Sequence, residues 1–128
     1  MSGYPDFWVA LGLTIVSTGD DEAVVEMRAP DWAVSPFGTV HGGAISMFCD
    51  TALAVAIARR LSGPEDRIAT HQLTISYASF TTERVLRCHA KLASLTRTVA
   101  VAEGDVRDES DRLVAKALGT FGVRRRTP

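Results

Sequence analysis

The sequence has little that would support a disulfide scaffold, a nucleic-acid surface or a metal site. Of its 128 residues only Cys49 and Cys88 are cysteines, and the formal net charge at pH 7 is −1. Two cysteines do not make a disulfide framework, and free buried thiols fit a reducing cytosol. A charge this close to zero favours neither nucleic acid nor an anionic membrane as a partner. The three histidines share no ligand spacing with acids or cysteines, so we predict no metal.

Two further absences concern how the chain is organised. The first residues lack a charged segment followed by an apolar one, so we expect no signal peptide. No internal repeat, linker or low-complexity segment divides the chain. We therefore expect residues 1–128 to form one domain of common size.

One apolar stretch, Ala44 to Leu61, is the most informative part of the chain. It contains no proline or glycine, and Asp50 is its only charged residue before Arg59. Its content of alanine, leucine and methionine predicts an α-helix about 27 Å long. Because nearly every face is apolar, we expect this helix to be buried. A membrane span is disfavoured by the acid, the terminal arginines and a length below the ~20 residues required.

Two features of this helix indicate chemistry. An ionised Asp50 is costly to bury, so it must be paired, hydrogen-bonded, near water or shifted in pKa. Just before the helix, Gly42 and Gly43 let the backbone approach a ligand closely, and the first N–H groups lack helical partners. Those donors, at the positive end of the helix dipole, suit an oxyanion or a polarised carbonyl. A donor end and, about two turns later, an acid therefore share one element.

The rest of the chain predicts one short helix and six strands. We expect a helix at 7–11, capped by Asp6 and ended by Gly12, before strands at 13–17 and 22–28. An irregular connection, residues 29–40, leads to the glycines, and its Trp32 and Phe37 serve either function or simple covering of the core. After a break at 62–64, four strands are expected at 68–78, 86–95, 98–107 and 112–121, followed by a basic, frayed end at 123–128.

Alternation along the first of these four strands predicts two faces. Strict alternation places one set on the first face, namely Ala69, His71, Leu73, Ile75 and Tyr77. It places the other set opposite, namely Thr70, Gln72, Thr74 and Ser76. One helix followed by a meander predicts an α+β fold with an antiparallel sheet folded around the helix. Such a sheet leaves a free edge and an apolar face, which self-association would cover.

The string Gly38-Thr39-Val40-His41-Gly42-Gly43, with Asp50 nine residues after the histidine, resembles the hotdog-fold acyl-CoA thioesterases of the PaaI type (phenylacetyl-CoA). Leu95-x-Arg97 before a strand and the closing segment 113–121 look like the same family. The similarity extends over nearly the whole chain. It implies an antiparallel sheet wrapped around one long central helix. It also implies hydrolysis of an aryl- or medium-chain acyl-CoA to free acid and CoA, with no separate cofactor because CoA is part of the substrate.

The resemblance also implies roles for individual residues. The site would lie between two protomers of a homodimer, often paired into a homotetramer. The backbone N–H of Gly42 would polarise the thioester carbonyl, and the partner's Asp50 would act as general base or nucleophile. His41 would orient the loop or support the acyl pocket, and Thr70 would position the water. Many relatives carry Asn six residues before the histidine. This chain has Ser35 there, whose side chain can donate one hydrogen bond but reaches less far.

Three further residues are predicted to contact the substrate. Gly43 would allow close backbone approach, and Met47 would line the acyl pocket unless it only packs in the core. Arg97, with the arginines at 124–126, would meet the CoA phosphates because guanidinium groups bind phosphate well; a solvated turn is the alternative.

Two other functions remain open from the sequence. A hotdog enoyl-CoA hydratase or dehydratase would use His41 for acid–base work. A non-catalytic acyl-CoA-binding protein would keep the fold with a degenerate site. The presence of Ser35 where many relatives carry Asn is the feature that favours this alternative. For Asp50 itself, the structural alternative is a buried acid satisfied by an N–H or a hydroxyl.

Overall fold

A computed structural model describes residues 3–125 as two α-helices and six β-strands. Helix α1 spans Asp6–Leu11, strands β1 and β2 span Leu13–Gly19 and Glu22–Arg28, and helix α2 spans Gly42–Ala58. Strands β3 to β6 span Arg67–Tyr77, Val85–Leu95, Val99–Asp108 and Leu113–Arg124. One 3₁₀ turn, Asp31–Ala33, lies in the connection before α2. Residues 1–2 and 126–128, which include Arg126 of the predicted basic end, lie outside the described part.

The strands form one antiparallel sheet that wraps around α2. Their order is β1-β2-β4-β5-β6-β3, so β1 and β3 are the two edges. Helix α2 packs against β2, β3, β4, β5 and β6. The predicted α+β layout, with an antiparallel sheet around one long helix, is therefore confirmed. The edge position of β3 matters below, because its outer backbone groups have no neighbouring strand in one protomer.

The core lies between α2 and the face of the sheet that α2 covers. Phe48, Leu53 and Ile57 of the helix are completely buried. The sheet contributes buried side chains from four strands, namely Val25, Met27, Leu86, Cys88, Val106 and Val114. Gly119 allows α2 to pack close to β6, because an added Cβ there would lie 2.9 Å from Leu53 Cδ1. Helix α2 is thus held firmly by packing, as its apolar sequence predicts.

The predicted bounds of both helices need correction. Helix α2 begins two residues before the predicted start because His41 caps it with its own ring, whose Nδ1 accepts from Gly43 N–H at 2.8 Å. It ends earlier because the N–H groups of Arg60 and Leu61 bond three residues back, in a tighter turn. The cap predicted for α1 is wrong, since Asp6 lies inside the first turn and makes no cap hydrogen bond.

The predicted alternation along β3 is wrong before residue 72. The pairing of β3 with β6 shifts between Thr70 and Gln72, which marks a β-bulge. One extra residue reverses the faces of all side chains on its far side. Thr70 therefore lies on the same face as Leu73 and Tyr77, the face that α2 covers, and its hydroxyl reaches Asp50. Ala69 and His71, which strict alternation places on the face of Leu73, therefore lie on the opposite face.

A buried carboxylate fixes the hairpin between β5 and β6 to the loop after β3. Asp108 is only 6% exposed, and its oxygens accept from Thr81 Oγ1 at 3.1 Å and from the N–H groups of Ser110 and Arg112 at 3.1 and 3.0 Å. Burial raises the pKa of Asp108, but these hydrogen bonds and the charge of Arg112 outweigh it, so the pKa lies below its ordinary value. The ionised form is therefore favoured in the folded protein.

We expect Asp108→Asn to lower the free energy of unfolding by about 1–3 kcal/mol, because a buried acceptor is lost. A carboxyl with a depressed pKa contributes stability above its unfolded pKa of about 4, and that contribution is lost as pH falls through the folded pKa. Urea unfolding measures the difference in free energy of unfolding between wild type and Asp108→Asn, and this difference should be smaller near pH 3 than at pH 7. Asp111→Asn on the same hairpin, where the acid is exposed, is the control. An advantage independent of pH would contradict this account.

Candidate active site

The start of α2 presents one free backbone donor. The N–H groups of Ala44 and Ile45 bond to His41 O at 3.0 and 3.1 Å, and that of Gly43 bonds to His41 Nδ1. Within residues 3–125, the N–H of Gly42 has no acceptor. It lies at the positive end of the helix dipole, where an unpaired N–H binds an oxyanion well. Gly42 is therefore the donor available to a substrate carbonyl, whereas the N–H of Gly43 is occupied.

His41 is exposed, and its hydrogen bond defines its tautomer. Because Nδ1 accepts from Gly43 N–H, the proton of the neutral ring is on Nε2. The backbone N–H of His41 donates to Ala33 O at 2.7 Å, which ties the helix start to the 3₁₀ turn. The ring thus presents an N–H, and no free acceptor, to the surroundings.

The carbonyl of Gly42 is held by two side chains that the sequence did not single out. The hydroxyl of Tyr77, at the end of β3, donates to Gly42 O at 2.6 Å. Ser46 Oγ lies 2.6 Å from that hydroxyl and 3.1 Å from the same carbonyl. A tyrosine in an alternating strand suggests packing, so no local signal identified this contact.

Asp50 and Thr70 form a second centre further along the helix. Thr70 Oγ1 donates to Asp50 Oδ1 at 2.6 Å, and Asp50 is half-buried. This leaves the other carboxylate oxygen available. Asp50 is eight residues from Gly42, which is about 12 Å along an α-helix. One protomer therefore brings Thr70 to Asp50 but keeps both away from the free donor.

Ser35 serves the loop that precedes the helix. Its Oγ lies 3.0 Å from Thr39 Oγ1 and accepts from Phe37 N–H at 3.3 Å, while its backbone bonds with Thr39 O and Gly38 N–H. Gly38 has a φ of 82°, which this tight loop requires. The Ser35 hydroxyl thus shapes the loop, and the structure gives it no contact with Gly42.

An apolar cavity of about 520 Å³ adjoins the helix start. Its lining combines the loop before α2, the first turn of α2, the end of β3 and the segment after it, namely Ser35, Phe37, Thr39, Val40, His41, Gly42, Ile45, Tyr77, Ala78, Ser79, Phe80 and Thr81. Phe37 and Phe80 are 89% and 85% exposed at its rim. Trp32 is also exposed, so of the two roles considered for Trp32 and Phe37, covering of the core is wrong for a single protomer.

The other predicted substrate contacts lie apart from this cavity. Met47 is 45% exposed on the open side of α2, whereas its neighbour Phe48 is in the core. Arg97 is exposed in the turn between β4 and β5. This turn lies beside the end of β6, since Val123 N–H donates to Thr98 O at 2.8 Å. Gly43 is exposed at the helix start.

The described part of the chain contains neither a cluster of metal ligands nor a membrane-spanning helix. No three His, Cys, Asp or Glu side chains among residues 3–125 come together to hold a metal ion. In the same residues, no helix is long and apolar enough to cross a membrane.

Comparison with known proteins identifies the family of this chain. A profile of the thioesterase superfamily matches residues 37–115. The 1,4-dihydroxy-2-naphthoyl-CoA hydrolase of Listeria monocytogenes is 21% identical over 116 residues, 91% of this chain and 94% of that protein.

Two solved structures show the same architecture. A conserved protein of Pseudomonas aeruginosa is 29% identical, with a TM-score of 0.86 over 94% of this chain and 95% of that one. A mutant of the phenylacetic acid degradation protein PaaI of Thermus thermophilus is 28% identical, with a TM-score of 0.81 over 92% and 98%. The chain therefore has the hotdog fold and belongs to the thioesterase superfamily, with PaaI-type proteins among its structural relatives.

Proposed function

We propose that this protein hydrolyses the thioester of an aryl- or medium-chain acyl-CoA to the free acid and CoA. The observation that carries the proposal is the unpaired N–H of Gly42 beside an apolar cavity of about 520 Å³. The N–H would bind the carbonyl oxygen, and the cavity would take the acyl group. Thioester hydrolases of the superfamily provide the reaction class.

The catalytic acid is proposed to come from a second protomer. An oxyanion donor must lie about 3 Å from the carbonyl oxygen, and a base must be within hydrogen-bond reach of the attacking water. Asp50 of the same chain is about 12 Å away along the helix, so it does not meet both conditions. The partner's Asp50 meets them if two copies face each other with their helices antiparallel.

The free edge of β3 supports such a pairing. Thr70 and Tyr77 are seven residues apart on this strand, about 23 Å at ordinary strand spacing. Antiparallel pairing of two β3 strands about a twofold axis near Thr74 would place Thr70 of one protomer near Tyr77 of the other. The centre formed by Asp50 and Thr70 would then adjoin the Gly42 donor across the interface.

The uncovered side of α2 supports the same arrangement. Gly43, Met47 and Ala58 are exposed and Asp50 and Ala54 are half-buried, at spacings that keep them on one side of the helix. Contact with a second copy would cover this stripe, since exposed apolar faces mark interaction sites. A homodimer, or a homotetramer of two such dimers, contains the proposed site.

In this site each group has a defined task. Asp50 Oδ1 is occupied by the Thr70 hydroxyl, so Oδ2 would take a proton from water. The resulting hydroxide would attack the carbonyl carbon, and Gly42 N–H of the partner protomer would stabilise the oxyanion. When the carbon–sulfur bond breaks, the CoA thiolate would take the proton from Asp50, which restores the carboxylate. Direct attack by Asp50, with an anhydride that water then hydrolyses, is the other route.

The end of the molecule that carries Arg97 would receive the CoA phosphates. Four arginines there have no ion pair within the described residues, namely Arg67, Arg97, Arg124 and Arg125. Strands β3 and β6 bring Arg67 opposite Arg124. Within residues 3–125, Arg67 and Arg125 donate only to backbone carbonyls, so their charge is not neutralised by an ion pair. Guanidinium groups of this kind suit a multiply charged phosphate ligand. A cytoplasmic location is also proposed, and the free, buried thiols of Cys49 and Cys88 support it.

The test is turnover of a panel of aryl-, short- and medium-chain acyl-CoA substrates, followed by release of free thiol. We expect saturable hydrolysis of at least one substrate class. Tight binding without turnover across the panel would reject hydrolysis in favour of an acyl-CoA-binding protein. Hydration of an enoyl-CoA with the thioester intact would favour the hydratase. The geometry disfavours the latter, because Nδ1 of His41 is occupied and Nε2 already carries the proton.

A further inference from the structure

We propose that Tyr77 and Ser46 are positioning residues that set the direction of the Gly42 donor and the tautomer of His41. The kinetic effects expected below rest on the function proposed above, whereas the tautomer of His41 can be measured without substrate. Tyr77 and Ser46 would not touch the reacting atoms. They act through the peptide that joins Gly42 to Gly43, which their hydroxyl groups hold from the carbonyl side.

Three oxygens, those of Tyr77, Ser46 and the Gly42 carbonyl, share two hydroxyl hydrogens. Tyr77 has one hydrogen, which it donates to Gly42 O at 2.6 Å. Ser46 supplies the second hydrogen, which lies between Gly42 O at 3.1 Å and the Tyr77 hydroxyl oxygen at 2.6 Å. A phenol that accepts one hydrogen bond donates its own more strongly, because linked hydrogen bonds polarise one another. The two hydroxyl groups therefore act as one clamp on Gly42 O.

The clamp reaches His41 through one peptide unit. Gly42 C=O and Gly43 N–H belong to the same peptide group, so a strong bond to the oxygen makes the N–H a better donor. That N–H donates to His41 Nδ1 at 2.8 Å, which keeps the ring proton on Nε2. Hydrogen bonds thus run from Ser46 through Tyr77 and this peptide to the imidazole at the rim of the cavity.

The same clamp fixes the free donor. Gly42 N–H belongs to the preceding peptide, whose carbonyl is His41 O, and the backbone angles of Gly42 fix the orientation of that peptide relative to the clamped one. The Tyr77 ring lies against this residue, since an added Cβ on Gly42 would be 3.4 Å from Tyr77 Cζ and from its hydroxyl oxygen. Glycine is the most mobile residue in the backbone, so an anchor from outside the helix adds to the hydrogen bonds that His41 accepts from Gly43, Ala44 and Ile45. Tyr77 supplies it from the edge strand, 35 residues away.

Tyr77→Phe removes the hydroxyl and keeps the ring. We expect kcat for acyl-CoA hydrolysis to fall about 10-fold with KM within about 2-fold, because the donor is misdirected in the transition state while the cavity is unchanged. Ser46→Ala should act in the same direction with a smaller effect, about 3-fold, because Tyr77 retains its own bond. Tyr4→Phe, the same chemical change at a tyrosine that contacts β1 at the opposite sheet edge, should behave as wild type.

The second measurement is the nitrogen-15 NMR spectrum of His41 in the protein without substrate. In wild type we expect the neutral ring to carry its proton on Nε2, with Nδ1 accepting. In Tyr77→Phe a measurable fraction should carry the proton on Nδ1, and Tyr4→Phe should match wild type. An unchanged His41 spectrum in both Tyr77→Phe and Ser46→Ala would overturn the proposal, whatever the kinetics. If the protein hydrolyses no acyl-CoA, the proposed function fails, and the His41 spectra still decide on the clamp.

Discussion

Asp50→Asn is expected to lower kcat for acyl-CoA hydrolysis by about 10²–10⁴-fold, the range that a positioned general base contributes. The amide keeps an oxygen that accepts from the Thr70 hydroxyl, which now donates to Asp50 Oδ1 at 2.6 Å. It loses the ability to take a proton from water or to attack a carbonyl. Because Asp50 is half-buried and its contact with Thr70 is preserved, the folded structure should persist. The measurement is thiol release under saturating substrate.

The matched control is Asp111→Asn, the same change on the exposed hairpin between β5 and β6. It should hydrolyse at the wild-type rate. Wild-type turnover by Asp50→Asn as well would show that the acid has only the structural role of satisfying Thr70. A single turnover of wild type in heavy-oxygen water then separates the two chemical routes, since label in the Asp50 carboxylate indicates an anhydride and label only in the product indicates direct water attack.

Gly42→Pro is expected to lower kcat by about 10²–10³-fold, the usual cost of losing one oxyanion donor. Proline has no N–H, and the N–H of Gly42 has no acceptor within residues 3–125, so no structural hydrogen bond is lost. Position 42 is the first of the helix, where proline is favoured. His41, with φ −61° and ψ 134°, already has the extended backbone that a following proline requires.

Gly42→Ala is the control for this change. It places a Cβ at the same 3.4 Å approach to the Tyr77 ring but keeps the N–H, so it should retain most of the wild-type kcat. Thermal unfolding of both variants checks that the helix start is intact. Equal activity of the proline and alanine variants would mean that the Gly42 N–H does not bind the reacting carbonyl.

The fold was largely predictable because its signals are local. The order of elements follows from strand alternation and turn residues, and the position of α2 in the core follows from its apolar composition. The resemblance carried by residues 38–43 and Asp50 led to the superfamily that the comparisons confirm. An acid in an apolar helix marked the position that the structure pairs with Thr70.

The details that were missed depend on distant contacts or unusual chemistry. The bulge that turns Thr70 towards Asp50 is set by the register between β3 and β6, and strict alternation does not reveal it. Tyr77 meets Ser46 across 31 residues of sequence, with no local pattern to connect them. The helix begins early because a histidine caps it with its ring, whereas caps are usually sought among Ser, Thr, Asp and Asn.

The most direct measurement of the two-protomer site is the activity of a mixed oligomer. Asp50→Asn and Gly42→Pro protomers, carrying different affinity tags, are co-expressed and the hetero-oligomer is purified through both tags. If each site joins Asp50 of one protomer to Gly42 of the other, one of the two sites in a dimer that pairs the two variants keeps both groups, and such a dimer should regain about half the activity of wild type. If both groups act within one protomer, each site retains a defect. A hetero-oligomer no more active than its two parents would contradict the account.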